Sequence, residues 1–203
     1  EFHKRKLISQ GINEDKIQVI YNPINFENNI SVEKSLSLVY AGRISKEKGV
    51  EEVITSWMNS RVSHFTLYII GEGNLKTTLE KKYNNKNLHF LGHLPNEQVL
   101  DYIRNAKAVV TATKLYEGQP RLLCEASSLG TVSIYPSFGG MDEFFPKLYK
   151  YSFKQFDYQD LERKLNLLND KIVFEEATKN LKMNILQKLD KESIYSKFSK
   201  ELS

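Results

Sequence analysis

The sequence predicts an α/β domain in which a parallel sheet is wrapped by helices. Three observations predict it. Short apolar runs rich in β-branched and aromatic residues alternate with amphipathic stretches. Glycine-bearing loops follow several of those runs, and after Phe156 the alternation stops and only helical spacing remains.

Glu1-Phe2-His3-Lys4-Arg5 opens without a methionine and reads as the middle of a polar helix, so the chain is expected to be a piece of a longer protein. Strands are expected at Lys16 to Tyr21, Leu36 to Ala41, Phe65 to Ile70, Leu88 to Leu91, Ala108 to Thr113 and Val132 to Tyr135, with a weaker one at Tyr149 to Phe153. Helices are expected between them at Val50 to Met58, Leu75 to Tyr83, Asn96 to Asn105 and Arg121 to Leu129, where apolar residues recur at three- and four-residue spacing. Pro95 and Pro120 suit helix starts, and Gly130 suits a helix end. Leu161, Leu165 and Leu168, then Phe174, Leu181, Ile185 and Leu189, predict two or three helices over one end of the sheet. The expected organisation is a single domain over 1–203, with an α/β core at about 16–155 and C-terminal helices at about 157–203.

Composition excludes several function classes. The net charge of +4 is spread along the chain without a basic stripe or interleaved aromatics, which argues against nucleic acid as a partner. No apolar run approaches the ~20 residues of a membrane span, and the first residues lack the apolar core of a signal peptide. A single cysteine, Cys124, forbids an internal disulfide and fits a reducing compartment, so a cytoplasmic location is expected. His3, His64, His89 and His93 fall on different elements without ligand spacing, so no metal site is expected. Cys124 and Trp57 read as packed core.

In an open parallel sheet ligands bind beyond the carboxyl ends of the strands. Four loops are expected there: Gly42 to Gly49, Gly71-Glu72-Gly73, Gly92-His93-Leu94-Pro95 and Tyr116 to Pro120. Each glycine suits close approach of the backbone to a ligand, or simply a tight turn. Lys76 stands where a dinucleotide fingerprint would need its third glycine, which disfavours such a cofactor. Arg43 and Lys48 could neutralise adjacent phosphates, or be ordinary surface charges. Glu117 precedes a helix and Glu125 lies within it, so both are expected to face one crevice. The helix start offers free N–H groups to a diphosphate, while two carboxylates suit the hydroxyls of a sugar and a ribose. A helix-start acid and an unrelated solvated glutamate explain the same residues without a ligand.

With these residues in hand, the chain resembles the C-terminal domain of family 4 retaining glycosyltransferases (glycosyl transferases group 1). The landmarks are Lys16 to Ile24, Val39 to Arg43 with Lys48-Gly49, Tyr68 to Gly73, Leu88 to Gly92, Glu117 to Glu125, and Gly139-Gly140 with Glu143. The resemblance implies the GT-B fold, in which this Rossmann-like doubly wound sheet with helices on both faces is one half of the enzyme. An N-terminal acceptor domain is then absent from this chain.

The resemblance also implies residue roles. Glu117 is the catalytic-site acid that contacts the donor sugar, Arg43 and Lys48 hold the donor diphosphate, and Glu125 holds the ribose. Gly42, Gly118, Gln119 and Pro120 face the donor, while Gly92 and Leu94 lie along the base. Gln119 departs from a frequent aromatic residue and Thr131 from a frequent proline. The implied partners are a nucleotide sugar, UDP- ahead of GDP-linked, and an acceptor glycan or lipid-linked saccharide. The implied reaction is metal-independent hexosyl transfer with retention, serving bacterial surface polysaccharide or glycoconjugate synthesis, with the full-length enzyme cytoplasmic or peripheral at the inner membrane face. A GT-B-like nucleotide-sugar epimerase and a non-catalytic doubly wound regulatory module are the alternatives.

Overall fold

The computed structural model describes residues 1–24 and 33–201. The strands are β1 Ser35–Ala41, β2 Thr66–Ile70, β3 Leu88–Gly92, β4 Ala106–Val110, β5 Val132–Ser137 and β6 Ser152–Lys154. The helices are α1 Phe2–Ser9, α2 Val50–Asn59, α3 Lys76–Lys82, α4 Asn96–Asn105, α5 Arg121–Ser128, α6 Tyr158–Asn166, α7 Lys171–Leu189 and α8 Lys191–Glu201. All strand pairs are parallel, and the order is β3-β2-β1-β4-β5-β6.

That order is the Rossmann order. The chain steps outward from β1 to β3, returns through α4, and lays β4 on the other side of β1. Right-handed crossovers therefore put α2 and α3 on one face and α4 and α5 on the other. The C-terminal helices complete both layers at the β5–β6 end, with α6 packed on α2 and α7 on α5. Leu38, Val39, Leu67, Ile69, Val109 and Ile134 are fully buried in the middle layer, as near-continuous apolar strands covered on both faces must be. Trp57, also buried, donates its indole N–H to the Val62 carbonyl at 3.1 Å. Cys124 is core too, and burial pushes its thiol far above its ordinary range.

Three expectations need correction. The segment Lys16 to Tyr21 is not a strand: Glu14–Lys16 form a 3-10 turn, and the chain then runs on without pairing to a described strand. Burial alternates along it, Ile17, Val19 and Tyr21 being half-buried while Gln18 and the apolar Ile20 face out. One-sided cover produces period two with or without a ladder. The sheet thus begins at Ser35 rather than near Lys16. The second correction is that β4 starts directly after α4 and ends at Val110, not Thr113; Thr111 gives one more bond, to Ile134 O at 2.9 Å, before the chain leaves the sheet. The last is small: β6 is limited to Ser152–Lys154, because the chain before it turns, with Tyr149 N–H donating to Pro146 O at 3.0 Å.

Candidate functional site

The four glycine-bearing loops do share one edge, and they are laced to each other. Gly42 N–H donates to Ile70 O at 2.9 Å, Ile44 N–H to Glu72 O at 2.9 Å, Gly71 N–H to Gly92 O at 2.8 Å, and Lys114 N–H to Glu47 O at 2.8 Å. A Cβ on Gly71, whose φ is +134°, would stand 2.0 Å from Gly42 O. What approaches this glycine is the neighbouring loop, so its first duty is to the scaffold.

A crevice of about 200 Å³ opens where the strand order reverses, between the carboxyl ends of β1 and β4. Gly42, Lys48, Thr111, Thr113, Glu117, Pro120 and Arg121 line it, over a floor that includes Tyr40 and Met141. Lys48 Nζ donates to Glu117 Oε1 at 2.7 Å, the two side chains being 29% and 30% exposed. Pro120 precedes the first residue of α5, and no side chain among the described residues caps that helix. The positive end of α5 therefore borders the crevice uncapped.

Glu125 does not join Glu117 in this crevice. It lines a second hollow of about 150 Å³ with Ile24, Asn96, Leu100, Ser128 and Leu129, because its place in α5 turns it toward α4. Arg121 lines both hollows and donates from Nε to Glu125 Oε1 at 2.8 Å. Two acid–base pairs thus sit side by side, and a molecule lying across both hollows would pass Arg121.

The other expected residues are spread around this centre. Arg43 is exposed in the loop of Gly42, outside the lining; its carbonyl accepts from Tyr40 Oη at 2.8 Å. The Glu47 carboxyl nearby is held below its ordinary range by its own backbone N–H first, then by Ser45 and the charges of Arg43 and Lys48. Gly92 and Leu94 lie in the β3 loop and border neither hollow, although that loop leads into Asn96, which lines the second. The Gln119 side chain is already engaged: its Oε1 accepts Asn22 N–H at 2.8 Å and its Nε2 donates to Asn22 O at 2.8 Å. It fastens the 22 segment to the acid loop as a strand partner would. Among the described residues no three His, Cys, Asp or Glu side chains group as metal ligands.

One part of the site has no precursor in the sequence reading. Helix α1 lies along the loop of Glu117, with Phe2 stacked on Tyr116 at 5.7 Å and Tyr116 on Phe138 at 4.3 Å. A Cβ on Gly118 would meet the His3 ring at 2.4 Å, so that ring packs closely against the acid loop. Glu143 receives Arg5 at 3.0 Å and the Tyr21 hydroxyl at 3.3 Å. Burial and that carboxylate push the Tyr21 hydroxyl up to about 12. Gly140 N–H closes the brace on Glu117 O at 2.8 Å. Contacts across more than a hundred residues leave no local pattern; only the resemblance marked Gly139-Gly140 and Glu143, without a role.

Residues 22–185 match the family described as Glycosyl transferases group 1. The chain belongs to this family. Among curated relatives of this glycosyltransferase chain is the amylovoran biosynthesis glycosyltransferase AmsD of Erwinia amylovora, 24% identical over 142 residues, 65% of this chain and 40% of that protein. A glycogen synthase of Mycobacterium tuberculosis is 31% identical over 112 residues, 52% of this chain and 27% of that protein. The chain therefore spans well under half the length of these relatives. Solved structures carry the same fold. A variant of S. aureus TarM, in complex with fondaparinux, α-GlcNAc-glycerol and UDP, superposes with a TM-score of 0.84 at 19% identity over 98% of this chain and 42% of that one. Anabaena HepE, in complex with UDP and glucose, superposes at 0.83 and 17% identity over 98% of this chain and 60% of that one. The glycosyltransferase fold is thus the Rossmann-like unit of the GT-B architecture.

Proposed function

We propose that this domain binds the donor of a retaining glycosyltransferase, a nucleotide-diphosphate sugar with UDP ahead of GDP. The observation that carries the reading is the Lys48–Glu117 pair at 2.7 Å in the crevice where the strand order reverses. Lys48, with Arg43 on the same loop and the uncapped start of α5, offers positive charge to a diphosphate. Glu117 then exchanges its lysine for the hydroxyls of the donor sugar, and Glu125 in the adjacent hollow takes the ribose. Family membership and the UDP present in structures of like fold support the choice of nucleotide.

In the transfer, the bond from the anomeric carbon to the diphosphate breaks and its electron pair goes to the leaving phosphate oxygen. The acceptor oxygen bonds to that carbon on the same face and passes its proton to the departing phosphate oxygen. The charge that builds on the leaving group meets Lys48, Arg43 and the helix-start N–H groups, which is why we read the reaction as metal-independent. The acceptor, a glycan or lipid-linked saccharide of surface-polysaccharide or glycoconjugate synthesis, is reached through a further domain.

Titration with UDP and GDP tests the donor site. Binding at millimolar concentration or below, weakened by Lys48→Ala or Arg43→Ala, is expected; neither nucleotide binding at that level sinks the reading. Transfer that persists in excess EDTA, giving a product with the donor's anomeric configuration, is the expected behaviour of the whole enzyme.

A further inference from the structure

We propose that Arg121 is a movable link between the two hollows, pairing with Glu125 in the empty site and releasing it to hold the diphosphate when a nucleotide sugar spans both. The inference rests on the donor-site reading and adds to it a residue that the basic pair Arg43 and Lys48 does not include.

Four observations carry it. Arg121 is the residue common to the linings of both hollows. Its side chain is 72% exposed while that of its partner Glu125 is 12% exposed, so the mobile member of the pair is the cation and the fixed member is the acid. The contact uses Nε, at 2.8 Å, and so spends one donor of a guanidinium that has five. Arg121 is also the first residue of α5, where the helix already favours an anion.

A ligand with a sugar beside Glu117 and a ribose beside Glu125 must place its phosphates between them, at Arg121. Exchange of one carboxylate for two phosphate groups keeps the guanidinium paired and frees Glu125 for the ribose hydroxyls. In the empty protein the pair also keeps a mostly buried carboxylate from standing alone, which would be costly.

The test compares UDP with uridine by ligand-observed NMR at millimolar concentration, with GDP and guanosine as a parallel pair. Arg121→Ala is expected to lower UDP affinity about tenfold, the size of one charge-assisted hydrogen bond, and to leave uridine affinity unchanged or raised. Truncation also bares Glu125, which would itself repel a diphosphate. The same substitution is therefore made on a Glu125→Gln background, where no carboxylate needs neutralising and an acceptor for the ribose remains. A fall in the UDP-to-uridine ratio on both backgrounds supports the link. A fall on the native background alone means that Arg121 only neutralises Glu125, and it overturns the proposal. An equal loss for UDP and uridine, or no loss, overturns it as well. A native protein silent to UDP and GDP rejects the donor site itself, whereas nucleotide binding indifferent to Arg121 rejects only this assignment. Arg121→Gln, which keeps the side-chain stem, repeats the comparison if the alanine variant folds poorly.

Discussion

The two edges of this sheet each hold a partly covered lysine, and the lysines are solved differently. Lys48, at the carboxyl edge, meets a carboxylate at 2.7 Å. Lys34, just before β1 at the opposite edge, meets neutral oxygens among the described residues: Arg104 O at 2.7 Å, Thr131 Oγ1 at 2.8 Å and Leu129 O at 3.2 Å. Arg104 O and Leu129 O lie at the ends of α4 and α5, where helix carbonyls lack partners and the dipole favours a cation. Burial, and then the charge of Arg104, pushes the Lys34 ammonium down to about 8. One lysine staples two helices to the sheet, while the other pairs with an acid that lines the crevice. A parallel sheet produces this asymmetry, because its helices return antiparallel to the strands and gather N-termini at one edge and C-termini at the other.

The largest effect is expected from Glu117→Ala in the whole enzyme: transfer falls by about 10²-fold or more, from lost positioning of the sugar, while affinity for free nucleotide changes little. Steady-state rates beside nucleotide titrations check this, and equal losses in both would contradict a sugar-contact role.

Lys34→Ala should act on the fold instead. It strips two helix ends and Thr131 of their shared donor and is expected to cost about 1–3 kcal/mol in urea unfolding, with nucleotide affinity untouched. The staple also has a pH signature. The folded protein releases the Lys34 proton near 8 and the unfolded chain near its ordinary 10.5, so between those values the unfolded state binds more protons. Stability linked to Lys34 therefore rises with pH from about 8 to 10.5 and is flat below 8. Urea midpoints measured against pH should lose that slope in Lys34→Met.

Lys48→Ala inverts the Lys34 result. Its pair is about 30% exposed on both sides, so unfolding should shift by less than about 1 kcal/mol while UDP affinity drops about tenfold. A large stability loss would make Lys48 a second staple and erase the contrast. The smallest change is expected from Gln119→Ala, which removes two bonds to Asn22 and should cost about 1 kcal/mol without altering base selectivity.

Much of this was legible in the sequence. Alternating apolar runs and amphipathic stretches found β1, β2, β3 and β5 nearly to the residue, because buried parallel strands and half-buried helices impose different periods on the side chains. The loop edge was legible too, since a parallel sheet allows only one carboxyl edge. A short run of β-branched and aromatic residues reports cover and not hydrogen bonding, which is why the segment after Lys16 passed for a strand. The same limit hid the geometry of the acids: their spacing placed Glu117 before a helix and Glu125 within it, but only the packing of α4 against α5 separated them into two hollows joined by Arg121. The resemblance placed Gln119 in a loop whose backbone faces the donor, and no local pattern foretold that its side-chain amide is held by the Asn22 backbone, 97 residues away. Local periodicity and connectivity suffice to set most of the elements, the loop edge and the charges placed along it. Which charge meets which, and that α1 braces the acid loop, depend on the packed chain, because those contacts join residues whose separation leaves no periodic trace.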